Sequence, residues 1–219
     1  MQNMTLPPAG DFDAEDRLFA HIAEALRNNG WCAVPHALPE DLSHALHQQI
    51  LAMSGEEFSP AGIGRQQDYA VNSLVRRDQI RWIEGHTAAE QAWLQWSDRL
   101  RLFLNRQLFL GLARFESHFA HYPPGAFYKK HLDAFKGNAR RDATNRVLSV
   151  VAYFNPDWSG ADGGNLLLFD DEATEPFVQI APTFGTLVVF LSEDVPHEVS
   201  PARRDRYSIA GWYRASGTG

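Results

Sequence analysis

The sequence predicts a mainly β, α+β chain: a β-sandwich or barrel of jelly-roll size, with helices packed ahead of it. Up to Gly111, apolar residues recur at helical spacing. After Gly111 the texture changes to short strand-like runs divided by Gly, Pro and Asp turn signals. Helices first and strands after is the pattern of a sheet core with helices laid against it. The 219 residues are 44% hydrophobic and 21% charged, which fits one soluble globular domain.

Residues 1–13 read as a disordered lead, because "MQNMTLPPAGDFDAEDR" is polar and acidic. Residues 14–219 read as a single domain. Within it, 14–110 form a helical buttress plus a polar loop, and 111–215 form the jelly-roll core. From Ala14 to Asn29, apolar positions Leu18, Ile22, Ala25 and Leu26 have helical spacing, and Gly30 follows as a stop. "WCAVPHAL" is a strand candidate. Pro39 is placed to open a second helix, with Leu42, Leu46, Ile50 and Leu51 on its buried side. Residues 54–80 are rich in Gly, Arg, Gln and Asp and read as a mobile loop or hairpin. "IRWIEG" is a short strand candidate. "AAEQAWLQWSDRLRLFLNRQLFLG" is a third helix, with Trp93, Trp96, Leu100, Phe103 and Leu104 on its buried side. The core runs are "RFESHFAHY", "FYKKHLDAF", "RVLSVVAYF", "NLLLF", "FVQIA", "GTLVVFLS", "HEVSP" and "YSIAGWYR".

Bulk composition excludes several functions. The net charge of −7 and the lack of a basic stripe disfavour nucleic acid as a partner. No apolar stretch approaches 18 residues, so no membrane span is expected. The N-terminus lacks the basic-then-apolar pattern of a secretory leader. The single cysteine, Cys32, cannot form an internal disulfide and suits a reducing cytoplasm. Its apolar surroundings argue for a buried thiol rather than a catalytic one.

One motif carries chemistry. "KKHLD" places His131 and Asp133 two apart, hence on one face of a strand. With nine His and 27 Asp plus Glu, chance gives roughly one His-x-Asp/Glu in such a chain. The motif therefore has to be judged by its context. A non-haem Fe(II) site needs two His and one carboxylate on one side. "VPHEV" offers His197, 66 residues further on. The alternative for His197 is a strand-end histidine bonded to backbone. Arg206 opens the apolar strand "RYSIAGWYR", where a buried guanidinium demands an anionic partner. Ser208, Ala210 and Trp212 share its face. Arg203 and Arg204 read as a solvated turn.

His-x-Asp, a distant His and then Arg nine residues later resembles the Fe(II)/2-oxoglutarate-dependent oxygenases. The resemblance extends to the prolyl 4-hydroxylases of the hypoxia-inducible-factor type and their bacterial relatives. "HYPPGAFYKKHLD", "RVLSVVAYFNPDW", "GGNLLLF", "PHEVSPA" and "RYSIAGWY" are similar to that family's segments, in order. "RRDQIRWIEG" resembles the segment ahead of the core, and the match covers most of residues 75–215.

The resemblance implies a double-stranded β-helix with iron ligands His131, Asp133 and His197. It implies Arg206 and Tyr153 on the distal 2-oxoglutarate carboxylate, and Tyr122 lining that pocket. Tyr128, Leu166 and Trp212 would border the site, although packing alone could explain all three. The implied reaction converts 2-oxoglutarate and O2 to succinate and CO2 while hydroxylating a substrate, with ascorbate as a candidate reductant. The implied partner is a protein with an exposed proline, a translation elongation factor being one candidate. A free amino acid, a small metabolite and a non-catalytic iron-binding β-barrel remain as alternatives. The chain departs from the family's pattern in the extra Pro124 of "YPPGAF". Ala210 and Gly211 are small, which would enlarge the pocket. Residues 54–80 stand where the family has its substrate-covering loop, in a sequence of their own.

Overall fold

The computed structural model describes residues 9–61, 74–134 and 146–216. Three helices precede and buttress two antiparallel sheets. Helix α1 (Ala9–Asn29) buries Phe19, Ile22, Ala23 and Leu26. It starts five residues ahead of the predicted Ala14, inside the segment read as a disordered lead. Periodicity marks only the packed length of a helix, and a helix can run beyond it. The remainder of that lead, 1–8, lies outside the described residues. Gly30 ends the helix at φ +78°, where its N–H donates to the Leu26 carbonyl at 3.0 Å.

Strand β1 (Trp31–Val34) stops before Pro35, short of the predicted "PHAL". The chain turns there, with His36 at φ +50°. Helix α2 (Glu40–Ala52) follows Pro39 and buries Leu42, Leu46 and Ile50, whereas Leu51 is exposed. Helix α3 (Ala88–Leu108) buries Trp93, Trp96, Leu100 and Leu104. The Thr87 hydroxyl caps it by accepting the Glu90 N–H at 3.1 Å.

The remaining strands are β2 (Ser59–Pro60), β3 (Gln79–Trp82), β4 (Leu112–Tyr122), β5 (Tyr128–His131) and β6 (Arg146–Tyr153). They continue as β7 (Leu166–Leu168), β8 (Val178–Ile180), β9 (Leu187–Leu191), β10 (His197–Val199) and β11 (Arg206–Ala215). Seven strands form one sheet, ordered β1-β9-β6-β11-β4-β3-β2, and four form the other, β5-β10-β7-β8. The expected hairpin in 54–80 is present as β2 and β3, which pair through Ser59–Ile80 and Pro60–Gln79. Residues 62–73 of that loop lie outside the described residues.

Alternation along the strands separates two cores. On the helix side, Leu148, Val150, Ala152, Ile209 and Tyr213 join the helical residues. On the opposite side, Ala120, Tyr122, Tyr153, Val188 and Phe190 face Leu166, Leu168 and Val199 of the smaller sheet. The helices thus make one face of the large sheet rigid and leave its other face to build a site. Cys32 belongs to the first core. Burial pushes its thiol up to about 12, so it is not a nucleophile at neutral pH.

The loop before α3 is tied down by one carboxylate. Glu90 is fully buried. It accepts from Arg81 Nη1 at 2.8 Å, from Gln49 Nε2 at 2.7 Å, and from the N–H groups of Gly85 and His86 at 2.9 and 3.0 Å. Burial acts to raise its pKa, but these donors and the Arg81 charge outweigh it and hold the carboxyl at about 2. The depressed carboxyl stabilises the fold fully above about pH 4.5, and that contribution is lost as pH falls toward 2. Glu90→Ala is expected to destabilise by about 3 kcal/mol, because it leaves Gln49 Nε2 and the loop N–H donors unpaired and Arg81 with only its longer contact to Glu57 at 3.5 Å. A urea midpoint that is flat in the wild type from pH 7 to 5, and drops below pH 4.5, checks the linkage.

Candidate metal centre and its cleft

Strand β5 carries His131 and strand β10 carries His197, and the two are direct cross-strand partners. Their rings lie 4.2 Å apart. Asp133 follows β5, and its carboxylate sits 3.7 Å from His131 Nε2 and 3.6 Å from His197 Nε2. One ligand atom from each of the three lies within 4.8 Å of the others. The expected face-sharing of His131 and Asp133 is met, but not by strand alternation. The strand ends at His131, short of the predicted Phe135, and Asp133 reaches the cluster from a bend. Phe135 itself lies outside the described residues.

Hydrogen bonds fix each donor atom. His131 Nδ1 donates to the Lys129 carbonyl at 2.8 Å, and His197 Nδ1 donates to the Val195 carbonyl at 3.1 Å. Both bonds place the proton on Nδ1 and leave the Nε2 lone pairs turned toward Asp133. The Ser149 hydroxyl on β6 donates to Asp133 Oδ2 at 2.6 Å and is itself in contact with Ser192 Oγ at 2.9 Å. Burial alone would raise the Asp133 carboxyl, but His197, His131 and Arg146 hold it well below the ordinary range. Burial and the neighbouring His197 lower the His131 imidazole. The cluster therefore offers one carboxylate and two imidazole Nε2 atoms, the donor set that suits Fe(II). Ser149→Ala is expected to weaken metal binding by about 10- to 100-fold while leaving all three ligands in place; competition with a chelator measures it.

A second feature lies beside the cluster. Arg206 is 1% exposed, and among the described residues no carboxylate pairs with it. Its Nε donates to the Gly164 carbonyl at 2.9 Å. Its guanidinium lies 4.8 Å from the Tyr122 ring centre and 5.0 Å from that of Tyr153. The Tyr153 hydroxyl is buried with no hydrogen-bond partner among the described residues. A buried cation without an anion and an orphaned hydroxyl beside it leave an incomplete site that a carboxylate would complete. Gly163 and Gly164 let the chain pass this close, both at positive φ. A Cβ on Gly164 would meet Arg206 Cδ at 3.1 Å and Ala202 Cβ at 3.0 Å.

These groups line one cleft of about 1130 Å³. Every residue singled out from the sequence borders it: His131, Asp133, His197, Arg206, Tyr153, Tyr122, Tyr128, Leu166 and Trp212. Tyr128 stacks on His131 at 3.6 Å, and the Arg76 guanidinium covers the other side of Tyr128 at 4.3 Å. Gly211 does not enlarge the cleft as its size suggested. A Cβ there would strike Phe115 Cζ at 2.7 Å and Ser117 Cβ at 2.9 Å, so the space is already filled.

Sequence reasoning missed five contributors. Asp78, 3% exposed, holds Arg76 through two oxygens and so supports the Arg76–Tyr128–His131 stack. Arg76 also bridges to Tyr128 through backbone, which anchors part of the loop read as mobile. Arg146 lies 3.6 Å over Trp212 and bonds Glu116. Ser149 on β6 and His118 on β4 also stand on the site face, where strand pairing rather than any local signal places them.

Comparison with known proteins agrees with this geometry. Residues 117–214 match the 2OG-Fe(II) oxygenase superfamily. A prolyl-4-hydroxylase from Pseudomonas putida is 42% identical, with a TM-score of 0.79 over 91% of this chain and 100% of that one. A prolyl hydroxylase from Trichoplax adhaerens, solved with a hypoxia inducible factor peptide fragment, is 30% identical, with a TM-score of 0.80 over 94% of this chain and 93% of that one. Human Egl nine homolog 1 is 28% identical over 202 residues, 88% of this chain and 46% of that protein. The chain thus spans about half the length of that curated relative. It belongs to the 2OG-Fe(II) oxygenase superfamily.

Proposed function

We propose that the chain is an Fe(II)- and 2-oxoglutarate-dependent dioxygenase that hydroxylates a prolyl residue of a protein substrate. The observation that carries this reading is the buried Arg206, with no carboxylate against it among the described residues, and the unsatisfied Tyr153 hydroxyl beside the His131–Asp133–His197 cluster. A purely iron-binding barrel has no use for a buried guanidinium without an anion. The two sheets are the halves of a double-stranded β-helix, a reading supported by the likeness to solved prolyl hydroxylases.

Bound Fe(II) and 2-oxoglutarate would supply the chemistry, in which O2 gives one oxygen atom to succinate as CO2 is lost and the other to a substrate C–H bond to form an alcohol. The protein's own residues position and shield. His131 and His197 offer Nε2, and Asp133 offers its carboxylate under the restraint of Ser149. Arg206 matches the fork of a distal carboxylate, and the Tyr153 hydroxyl donates to it. Leu166 and Val199 keep that end of the cleft apolar.

A protein substrate is supported by two solved relatives that are prolyl hydroxylases and by the breadth of the cleft. A free amino acid or small metabolite would fill only part of such a volume. The Trichoplax relative was solved with a hypoxia inducible factor peptide, and nothing in these relatives favours the elongation-factor expectation. Ascorbate as reductant and a cytoplasmic location complete the proposal.

The test incubates purified protein with Fe(II), ascorbate, 2-oxoglutarate and a lysate of the source cells. Proline oxidation that requires 2-oxoglutarate and vanishes in His131→Ala is the expected result. Succinate formation with no modified protein would replace the protein substrate with a small molecule. Bound iron with neither signal would overturn the enzyme.

A further inference from the structure

The cleft holds a histidine that the proposed chemistry does not use. His118, on β4, is 3% exposed and faces the site. The strand registers place it in a row: Trp82 on β3 pairs with His118, His118 with Ala210, and Ala210 with Val151. One pair further along the same face, Ser149, the support of Asp133, stands opposite Trp212. In the other direction lie Ser208 and then Arg206. The imidazole therefore lies between the anion-binding end and the mouth framed by Trp212 and Arg146.

Its orientation is fixed on three sides. Trp82, 47% exposed, stacks on it at 5.2 Å with the planes 26° apart. Trp212 lies 5.4 Å away. His118 Nδ1 donates to the Ala210 carbonyl at 3.2 Å. That carbonyl can only accept, so the proton sits on Nδ1 and Nε2 carries the lone pair. Among the described residues no donor reaches Nε2. Burial, and then the charges of Arg76 and Arg146, push the imidazole down to about 3, consistent with a neutral ring.

We propose that His118 is a substrate-positioning residue whose Nε2 accepts a backbone N–H next to the target proline. This rests on the prolyl reading above. Proline has no N–H of its own, so an acceptor in this row is met by a flanking amide. Between the Trp82 indole and the Ala210 methyl, His118 Nε2 is the acceptor that this stretch of the wall presents. Such an arrangement reads the peptide chain rather than a particular side chain.

The test begins with acetylated pentapeptides carrying a central proline, scored for hydroxylation by mass spectrometry. The best substrate is then remade with N-methyl groups on the amides before and after the proline, one at a time. One methylation is expected to raise the wild-type KM about 5- to 10-fold, the loss of one hydrogen bond. In His118→Met that same methylation is expected to change KM less than twofold, while the unmethylated peptide already shows the raised KM. His118→Gln, equal in length to Met but retaining an acceptor, is expected to restore methylation sensitivity. The KM for 2-oxoglutarate is the readout that a merely structural role would move, and it is expected to stay within twofold in both variants. Equal methylation penalties in wild type and His118→Met would overturn the inference and leave the prolyl reading standing. Succinate formation without hydroxylation of any peptide or lysate protein would remove the prolyl reading, and this inference with it.

Discussion

Asp133→Ala is expected to abolish 2-oxoglutarate-dependent succinate formation. The carboxylate is the only anionic group of the cluster, and it faces both Nε2 atoms at 3.6–3.7 Å. Its removal leaves two imidazoles and no carboxylate, a weaker and less oxygen-rich donor set for Fe(II). The loss of metal affinity is expected to exceed the roughly 10- to 100-fold that a supporting partner such as Ser149 contributes. Equilibrium iron binding and succinate yield, measured on the same preparation, check both halves. Undiminished turnover would take Asp133 out of the ligand set.

Arg206→Ala is expected to raise the KM for 2-oxoglutarate roughly 30-fold to several thousandfold. Truncating one partner of a buried, hydrogen-bonded charge pair costs about 2–5 kcal/mol. Arg206 is sealed by Tyr122, Tyr153 and the Gly164 carbonyl, so water cannot replace it cheaply. Arg206→Lys keeps the charge but loses the planar fork and the Nε bond to Gly164, and is expected to fall between the two. Near-UV circular dichroism controls for loss of the fold. A KM for 2-oxoglutarate within threefold of wild type in Arg206→Ala would place the anion site elsewhere.

Much of this site was legible before any coordinates. One motif and a spacing made His131, Asp133 and His197 candidates, the cost of a guanidinium at the head of an apolar strand singled out Arg206, and the family resemblance implied their roles. The division into helices and then strands also held, because alternation and helical period are local properties. What was not legible is long-range. Ser149 looks like an ordinary serine in "RVLSVV" until β6 brings it to Asp133. Glu90 looks like an exposed helix-start acid, yet Gln49 from α2, Arg81 from β3 and the loop N–H groups of Gly85 and His86 converge on it. Gly211 looked like room to spare, and Phe115 from the neighbouring strand fills that space. Pairing partners decide each of these cases, and pairing is not written in any single window of sequence.

The cross-strand meeting of His131 and His197 has a thermodynamic consequence. Strand β5 is only four residues long and ends its sheet, held on its outer side by a single bridge to Arg76 and the Lys129 N–H to the Val75 carbonyl. An ion shared by the two histidines would act as a clasp between β5 and β10. Whatever binds the native state alone adds RT ln(1 + [L]/Kd) to its stability, about 2.7 kcal/mol at a hundredfold excess over Kd. The melting temperature is therefore expected to climb with free Fe(II) and to fall on chelation. Amide exchange along 128–131 should quicken first as the ion is withdrawn. The edge of the smaller sheet would then report iron supply as a change in local order, ahead of any loss of the whole fold.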